Sequence, residues 1–200
     1  MMKRLSMVSG LMLAITGCGG LAESEEMNPT TDAKGLARTA AHCVAQTAAQ
    51  PKGQPLAQSA APTRVDCFDT FADSIAFASK GSVQLSAQAK PADLKQEDVD
   101  QMASLATYVI GVVYEHDYYG GASFTFTSDV SCVGWNHGAP NLAAYGWDNF
   151  ISSSLSYSGC NNTYFYENPN YTGAIVNCGT GCGQVGAAMN DRASSIIWTQ

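Results

Sequence analysis

The sequence predicts an all-β domain, a sandwich or barrel, over residues 108–200, and three observations carry that prediction. The chain has 7 Phe, 3 Trp and 9 Tyr, and 16 of these aromatics fall in that stretch. Short runs rich in β-branched and aromatic residues recur there, at 108–114, 123–127, 163–166, 174–176 and 195–198, the second with clean alternation. Glycine and asparagine separate the runs, a pattern of short strands joined by turns.

The residues before this stretch read differently. Lys3 and Arg4 precede an apolar run at 5–16 that is too short to span a bilayer as a mature helix. Ile15, Thr16, Gly17 and Cys18 resemble a bacterial lipobox, where the signal is cut before a cysteine that carries lipid. That resemblance implies a signal peptide at 1–17, lipidation of Cys18 and contact with the membrane through the anchor alone. Gly19 follows in place of a retention aspartate, so outer-membrane or cell-surface sorting is expected, with secretion as the alternative. Residues 18–62 are poor in large apolar side chains and read as a flexible tether, with a short Ala-rich helix around 37–49. Residues 63–107 read as a small helical segment or prosegment. Phe68, Phe71, Ile75 and Ala78 share one helical face, Gly81 ends that helix, and Pro91 opens a second with Asp93 and Glu97 near its start.

Cysteine usage fits an exported chain. There are 7 Cys, at 18, 43, 67, 132, 160, 178 and 182, so acylation of Cys18 leaves an even set able to form disulfides. A Cys43–Cys67 bridge is expected, and the pairing among Cys132, Cys160, Cys178 and Cys182 stays open. Cys178 and Cys182, in a chain with 3 His, make a poor zinc site. The net charge is −7, and loss of residues 1–17 with Lys3 and Arg4 takes it to −9. Arg192 is the sole Lys or Arg in 108–200, so no basic face exists there for nucleic acid.

Two sequence features repeat. Tyr114, Tyr119 and Gly121 have the same spacing as Tyr166, Tyr171 and Gly173, aromatic-x4-aromatic-x-Gly, 52 residues apart. The form suits a folded hairpin with aromatics stacked across the turn and a glycine where a Cβ is not tolerated. Downstream of each hairpin lies an Asp/Asn pair, then two free positions, then a Ser pair. One copy is Asp148, Asn149, Phe150, Ile151, Ser152 and Ser153; the other is Asn190, Asp191, Arg192, Ala193, Ser194 and Ser195. Short, hard oxygen donors of this kind suit calcium rather than zinc or a redox metal.

In this order the four elements resemble the βγ-crystallin superfamily, in its microbial calcium-binding form with a clamp in each of two motifs. The resemblance covers about 108–200 and says nothing of 19–107. It implies a sandwich of two Greek-key motifs and two Ca2+ ions, each bridged between motifs. Ser152 and Ser194 are then side-chain ligands, Asn149 and Asp191 contribute from the pairs, and Phe150 and Arg192 contribute main-chain carbonyls. A hairpin carbonyl near Asp117 and another near Pro169 close the sites. Asp148 and Asn190 orient the loops, and Ser153 and Ser195 do the same or start strands. Arg192 departs from what a cation site favours, since its side chain weakens the site if it turns inward. With one carboxylate per clamp, affinity is expected at roughly 10⁻⁵ to 10⁻³ M.

The resulting expectation is an exported, monomeric calcium-binding structural or interaction module of the bacterial cell surface, not an enzyme. No HExxH, P-loop or GxSxG motif occurs, and His42, His116 and His137 read as tether or loop residues. The alternative is a secreted metalloprotease inhibitor of the same fold, with 132–140 as its inhibitory loop. A third class, adhesion to a surface glycan, would use Trp135, Trp147 and Tyr145, although Trp147 beside the clamp reads as core.

Overall fold

The computed structural model describes residues 41–58, 62, 64–103 and 107–200. The expected signal segment, Cys18 and the first part of the tether lie outside the described residues. No helix among the described residues is long and apolar enough to cross a membrane.

The stretch 108–200 folds as two Greek-key motifs that exchange one strand. The first motif holds β4 (Tyr108–His116), β5 (Gly120–Ser128), β6 (Trp135–Ala139) and β7 (Ser153–Ser156). The second holds β8 (Asn162–Asn168), β9 (Thr172–Asn177), β10 (Gly181–Cys182) and β11 (Ser195–Thr199). In each motif three strands share a sheet and the third strand in sequence crosses over. Thus β6 pairs with β11 of the second sheet, and β10 pairs with β7 of the first. The result is the βγ-crystallin-like sandwich expected from the sequence. Its interior is aromatic: Phe124 and Phe126 from β5 meet Tyr145, Trp147 and Trp198, with Phe126 and Trp198 ring centroids 4.8 Å apart. Ile110, Val113, Phe165 and Ile196 complete this core from both sheets.

The tether reading needs correction from residue 42 onward. β1 (His42–Gln46) runs parallel to β5, and β2 (Ala48–Pro51) runs antiparallel to β6. Thr47 joins them: its amide donates to the Thr127 carbonyl at 2.9 Å and its hydroxyl to the Gly138 carbonyl at 2.8 Å. One short segment therefore extends both sheets, which become β10-β7-β4-β5-β1 plus one further strand, and β2-β6-β11-β8-β9. Composition misleads here because the ladder to β5 and β6 supplies the backbone partners, and the small side chains of Val44 and Ala45 suffice to fill their sites. The same pairing overrides the helix propensity of the alanines over 42–49.

The helical segment is a cap with its own core. β3 (Asp66–Phe68) pairs with β1 and is tied to it by the expected Cys43–Cys67 disulfide. Phe68 therefore lies in a strand rather than on the helix. α1 (Phe71–Ala78) starts at Thr70, whose hydroxyl accepts the Asp73 amide at 3.1 Å, an N-cap that satisfies one orphan donor. Past its end the Gly81 amide donates to the Ala76 carbonyl at 2.7 Å. α2 (Gln96–Ala103) begins after Pro91, which instead opens a separate 3-10 turn. Both helices cover the outer face of the first sheet, where Phe71, Ile75, Val99 and Met102 pack with Val109, Val112 and Tyr114. β4 is thus buried on both faces, which explains its near-continuous apolar run. The remaining cysteines pair as Cys132–Cys160 and Cys178–Cys182.

Ile75 is fully buried in the cap core. Ile75→Ala is expected to destabilise the chain by about 2–5 kcal/mol through lost burial and a residual cavity, read as a lowered urea midpoint at unchanged slope.

Candidate functional site

The two hairpins are built alike. At the tips, Tyr118 and Tyr119 (φ 55° and 66°) and Asn170 and Tyr171 (φ 60° and 61°) turn through the left-handed region. The aromatic pairs stack across each turn as expected, Tyr114 on Tyr119 at 5.4 Å and Tyr166 on Tyr171 at 5.9 Å, both edge-on. Gly121 and Gly173 have positive φ, and a Cβ would lie 2.8 Å from the His116 ring or 2.6 Å from the Asn168 carboxamide. Left-handed backbone at bulky residues is costly, and the last serine of each clamp holds it in place. Ser153 Oγ accepts the Tyr119 amide at 3.0 Å and donates to the His116 carbonyl at 2.6 Å. Ser195 Oγ repeats this with the Tyr171 amide at 3.0 Å and the Asn168 carbonyl at 2.7 Å. Each also starts a strand, β7 or β11.

The clamps cross between motifs. The Asn149 amide donates to the Ala193 carbonyl at 3.0 Å and the Asp191 amide to the Ile151 carbonyl at 3.1 Å. Asn149 and Asp191 have φ 60° and 54°. Asn and Asp are the L-residues that tolerate this region, which accounts for their placement at the second position of each clamp. In the first site Ser152 Oγ lies 2.8 Å from the Glu115 carbonyl oxygen and 3.3 Å from Asp191 Oδ1. In the second, Ser194 Oγ donates to Asp148 Oδ1 at 2.6 Å and lies 3.5 Å from Asn149 Oδ1. Each site therefore gathers oxygens from both motifs around one hydroxyl, whose single proton is shared between two acceptors.

Of the expected ligands, the structure brings together Ser152 with Asp191 and Ser194 with Asn149. Asp148 is closer to Ser194 than Asn149 is, and its carboxylate ties the first clamp to the second by this hydrogen bond. Phe150 packs its ring on the inter-sheet core. Arg192 turns away from the clamp, to the Glu167 carboxylate and the Ala188 carbonyl, so its cation does not enter the site. Asp117 and Pro169 are hydrogen-bonded elsewhere. The Asp117 carbonyl accepts the Gly120 amide and its carboxylate accepts from Gln184 at 2.7 Å, while the Pro169 carbonyl accepts the Thr172 hydroxyl at 3.1 Å. The carbonyl that meets Ser152 is that of Glu115, two residues nearer the strand, because β4 remains extended up to His116 before the turn begins. A signal for it exists in the sequence: a Tyr-Glu pair opens both hairpins, at 114–115 and 166–167. The two glutamates also act alike, accepting the Ala122 amide at 3.2 Å and the Ala174 amide at 3.4 Å.

The other candidate residues differ in burial, and Trp135 is only partly buried. Residues 135–139, inside the supposed inhibitory loop, are β6, hydrogen-bonded between β2 and β11. Trp147 and Tyr145 are core residues and offer no face to a sugar. His137 is buried in β6 rather than solvated, and burial lowers its pKa. His42 sits in β1, with Nδ1 2.8 Å from Ser123 Oγ, but that serine is fully buried on β5 and out of reach of a substrate. No group of three His, Cys, Asp or Glu side chains able to hold a metal occurs among the described residues. The clamps instead present hydroxyl, carboxamide and carbonyl oxygens with one carboxylate in each, Asp148 and Asp191.

Solved βγ-crystallin domains are similar in structure to part of this chain. A domain from Clostridium beijerinckii is 25% identical over 46% of this chain and 99% of its own length, with a TM-score of 0.36. A βγ-crystallin from an archaeon is 26% identical over 44% of this chain and 94% of its own, with a TM-score of 0.33. One from Flavobacterium johnsoniae is 24% identical over 44% and 92%, with a TM-score of 0.35. No family model and no curated protein matches the chain.

Ser153→Ala removes a fully buried hydroxyl that serves both a donor and an acceptor of the hairpin. It is expected to cost about 1–3 kcal/mol, read by equilibrium denaturation. A second outcome concerns Glu167, whose carboxyl is held below its ordinary pKa by the Arg192 hydrogen bond first, then by the Ala174 amide. A depressed folded pKa contributes stability above the unfolded value, and that contribution is lost as pH falls through the folded one. In Arg192→Gln the Glu167 titration midpoint, followed by carboxyl NMR, should rise toward the ordinary carboxylate range.

Proposed function

We propose that this chain is an exported calcium-binding structural or interaction module of the bacterial cell surface, anchored through lipid on Cys18. The observation that carries the reading is the reciprocal convergence of hard oxygens from both motifs on Ser152 and on Ser194. Calcium takes such oxygens in flexible number and geometry. One ion would sit among the Glu115 carbonyl, Ser152 and Asp191. The other would sit among Ser194, Asn149 and Asp148, with the Glu167 carbonyl at the repeat-equivalent place. The main-chain carbonyls of Phe150 and Arg192 leave the same left-handed turns and would complete the sets. In each case the serine hydroxyl would give up these hydrogen bonds to offer an oxygen lone pair to the ion. A site whose donors come from both motifs binds only the folded chain, so calcium couples directly to stability.

The test is isothermal calorimetry on the chain from residue 18, with Cys18→Ser, alongside thermal melts in calcium and in chelator. Two-site binding is expected, adding about 2.7 kcal/mol per independent site at a free concentration of 100 times Kd. Ser152→Arg with Ser194→Arg should abolish both heats and the shift. A wild-type chain that binds no calcium at millimolar concentration overturns the reading.

A further inference from the structure

The two outer faces of the sandwich are treated differently. On the first sheet Val112, Tyr114 and Tyr119 lie under or against the helical cap. At the repeat-equivalent places, 52 residues on, stand Tyr164, Tyr166 and Tyr171, and neither α1 nor α2 reaches them. They line an open groove of about 500 Å³ on the outer face of the second sheet, within the range of about 300–1,000 Å³ typical of small-ligand sites. Tyr164 and Tyr166 come from β8 and are half-buried. The Tyr171 hydroxyl donates to the Ala57 carbonyl at 3.4 Å, which holds the segment after β2 as the opposite wall. That wall brings Gln54 and Gln58 to the groove, and the neighbouring β6 contributes Asn136.

The chemistry of the lining selects the ligand. None of the lining residues is Asp, Glu, Lys, Arg or His, although the chain as a whole carries −7. A charged ligand would find no counter-ion there and would be desolvated at a cost. Tyrosine offers a flat apolar face with a polar tip. Carboxamides present donors and an acceptor side by side, the complement of a hydroxyl. Stacked apolar C–H faces edged by many neutral hydroxyls are the pattern of a pyranose ring. The groove is open to solvent rather than enclosed, so a ring within a longer chain can enter it. We propose that this groove binds a neutral glycan chain, with sugar rings on Tyr164 and Tyr166 and hydroxyls at Gln54, Gln58 and Asn136. The inference stands apart from the calcium reading, because the groove shares no residue with either clamp.

The experiment titrates the chain from residue 18, Cys18→Ser, with cellohexaose, laminarihexaose and chitohexaose by calorimetry, with and without chelator. At least one hexaose should bind. Tyr164→Ala should weaken it about tenfold or more, the loss of a ring-stacking contact, while the melting temperature holds. Should Tyr164→Ala fail to fold, Gln58→Ala with Asn136→Ala, on the rim, takes its place with the same expectation. The double clamp variant Ser152→Arg and Ser194→Arg should leave hexaose binding in place, which separates this site from the calcium reading. The proposal is overturned if no hexaose binds at millimolar concentration, or if binding survives both groove variants. It is equally overturned if light scattering shows a dimer that Tyr164→Ala dissolves, since a second copy would then be the occupant.

Discussion

The reciprocal pair of hydrogen bonds between the two clamps is the constraint on which the domain depends. Asn149 reaches across to Ala193, and Asp191 reaches back to Ile151. The left-handed turn at the second position of each clamp is what aims these amides across, and it is why Asn and Asp occupy those places. The strand exchange through β6 and β10 serves the same end. It locks the motifs together so that Ser152 and Ser194 lie at the seam between them rather than at the edge of either. Serine is suited there because one small hydroxyl can accept from a backbone amide, donate to a carbonyl or turn its lone pairs to a cation.

Much of the β domain is legible in the sequence because its signals are local and doubled. The aromatic-x4-aromatic-x-Gly hairpins, the clamp pattern and the alternation in β5 each depend on neighbours in sequence, and each occurs twice or packs with period two. The N-terminal strands are not legible, for the opposite reason. Residues 42–51 have the composition of a linker, and only distant partners in β5 and β6 make them strands. The hairpin carbonyl that meets Ser152 is that of Glu115, two residues before Asp117, because the exact point at which β4 gives way to the turn is a boundary question. His137 reads as a loop residue because a glycine and an asparagine beside it mimic a turn, whereas Gly138 lies between paired strands.

The two repeats have diverged in what surrounds them more than in what they are. The hairpin, the crossing amide and the last serine superpose in role from one motif to the other. The cap breaks the symmetry: it buries Tyr114 so deeply that its phenol is pushed far above the usual range, while Tyr166 stays half-exposed. An outer face sealed by helices can only stabilise, and one left bare keeps its side chains available. Three disulfides divide along the same line: Cys43–Cys67 belongs to the added N-terminal layer, and the other two belong to the repeat domain itself.

The segment that extends both sheets also sets a timetable. During synthesis β1 emerges well before its neighbour β5, His42 and Ser123 being separated by 81 positions, and β2 waits for β6. Cys67 arrives after 24 residues, so β1 and β3 can be bridged and paired as a unit while neither sheet exists. Pairings of long sequence separation form late because chain closure must precede the reward of contact. The β1–β3 pair therefore has no sheet to join until β5 ends at Ser128, and β2 has none until β6 ends at Ala139.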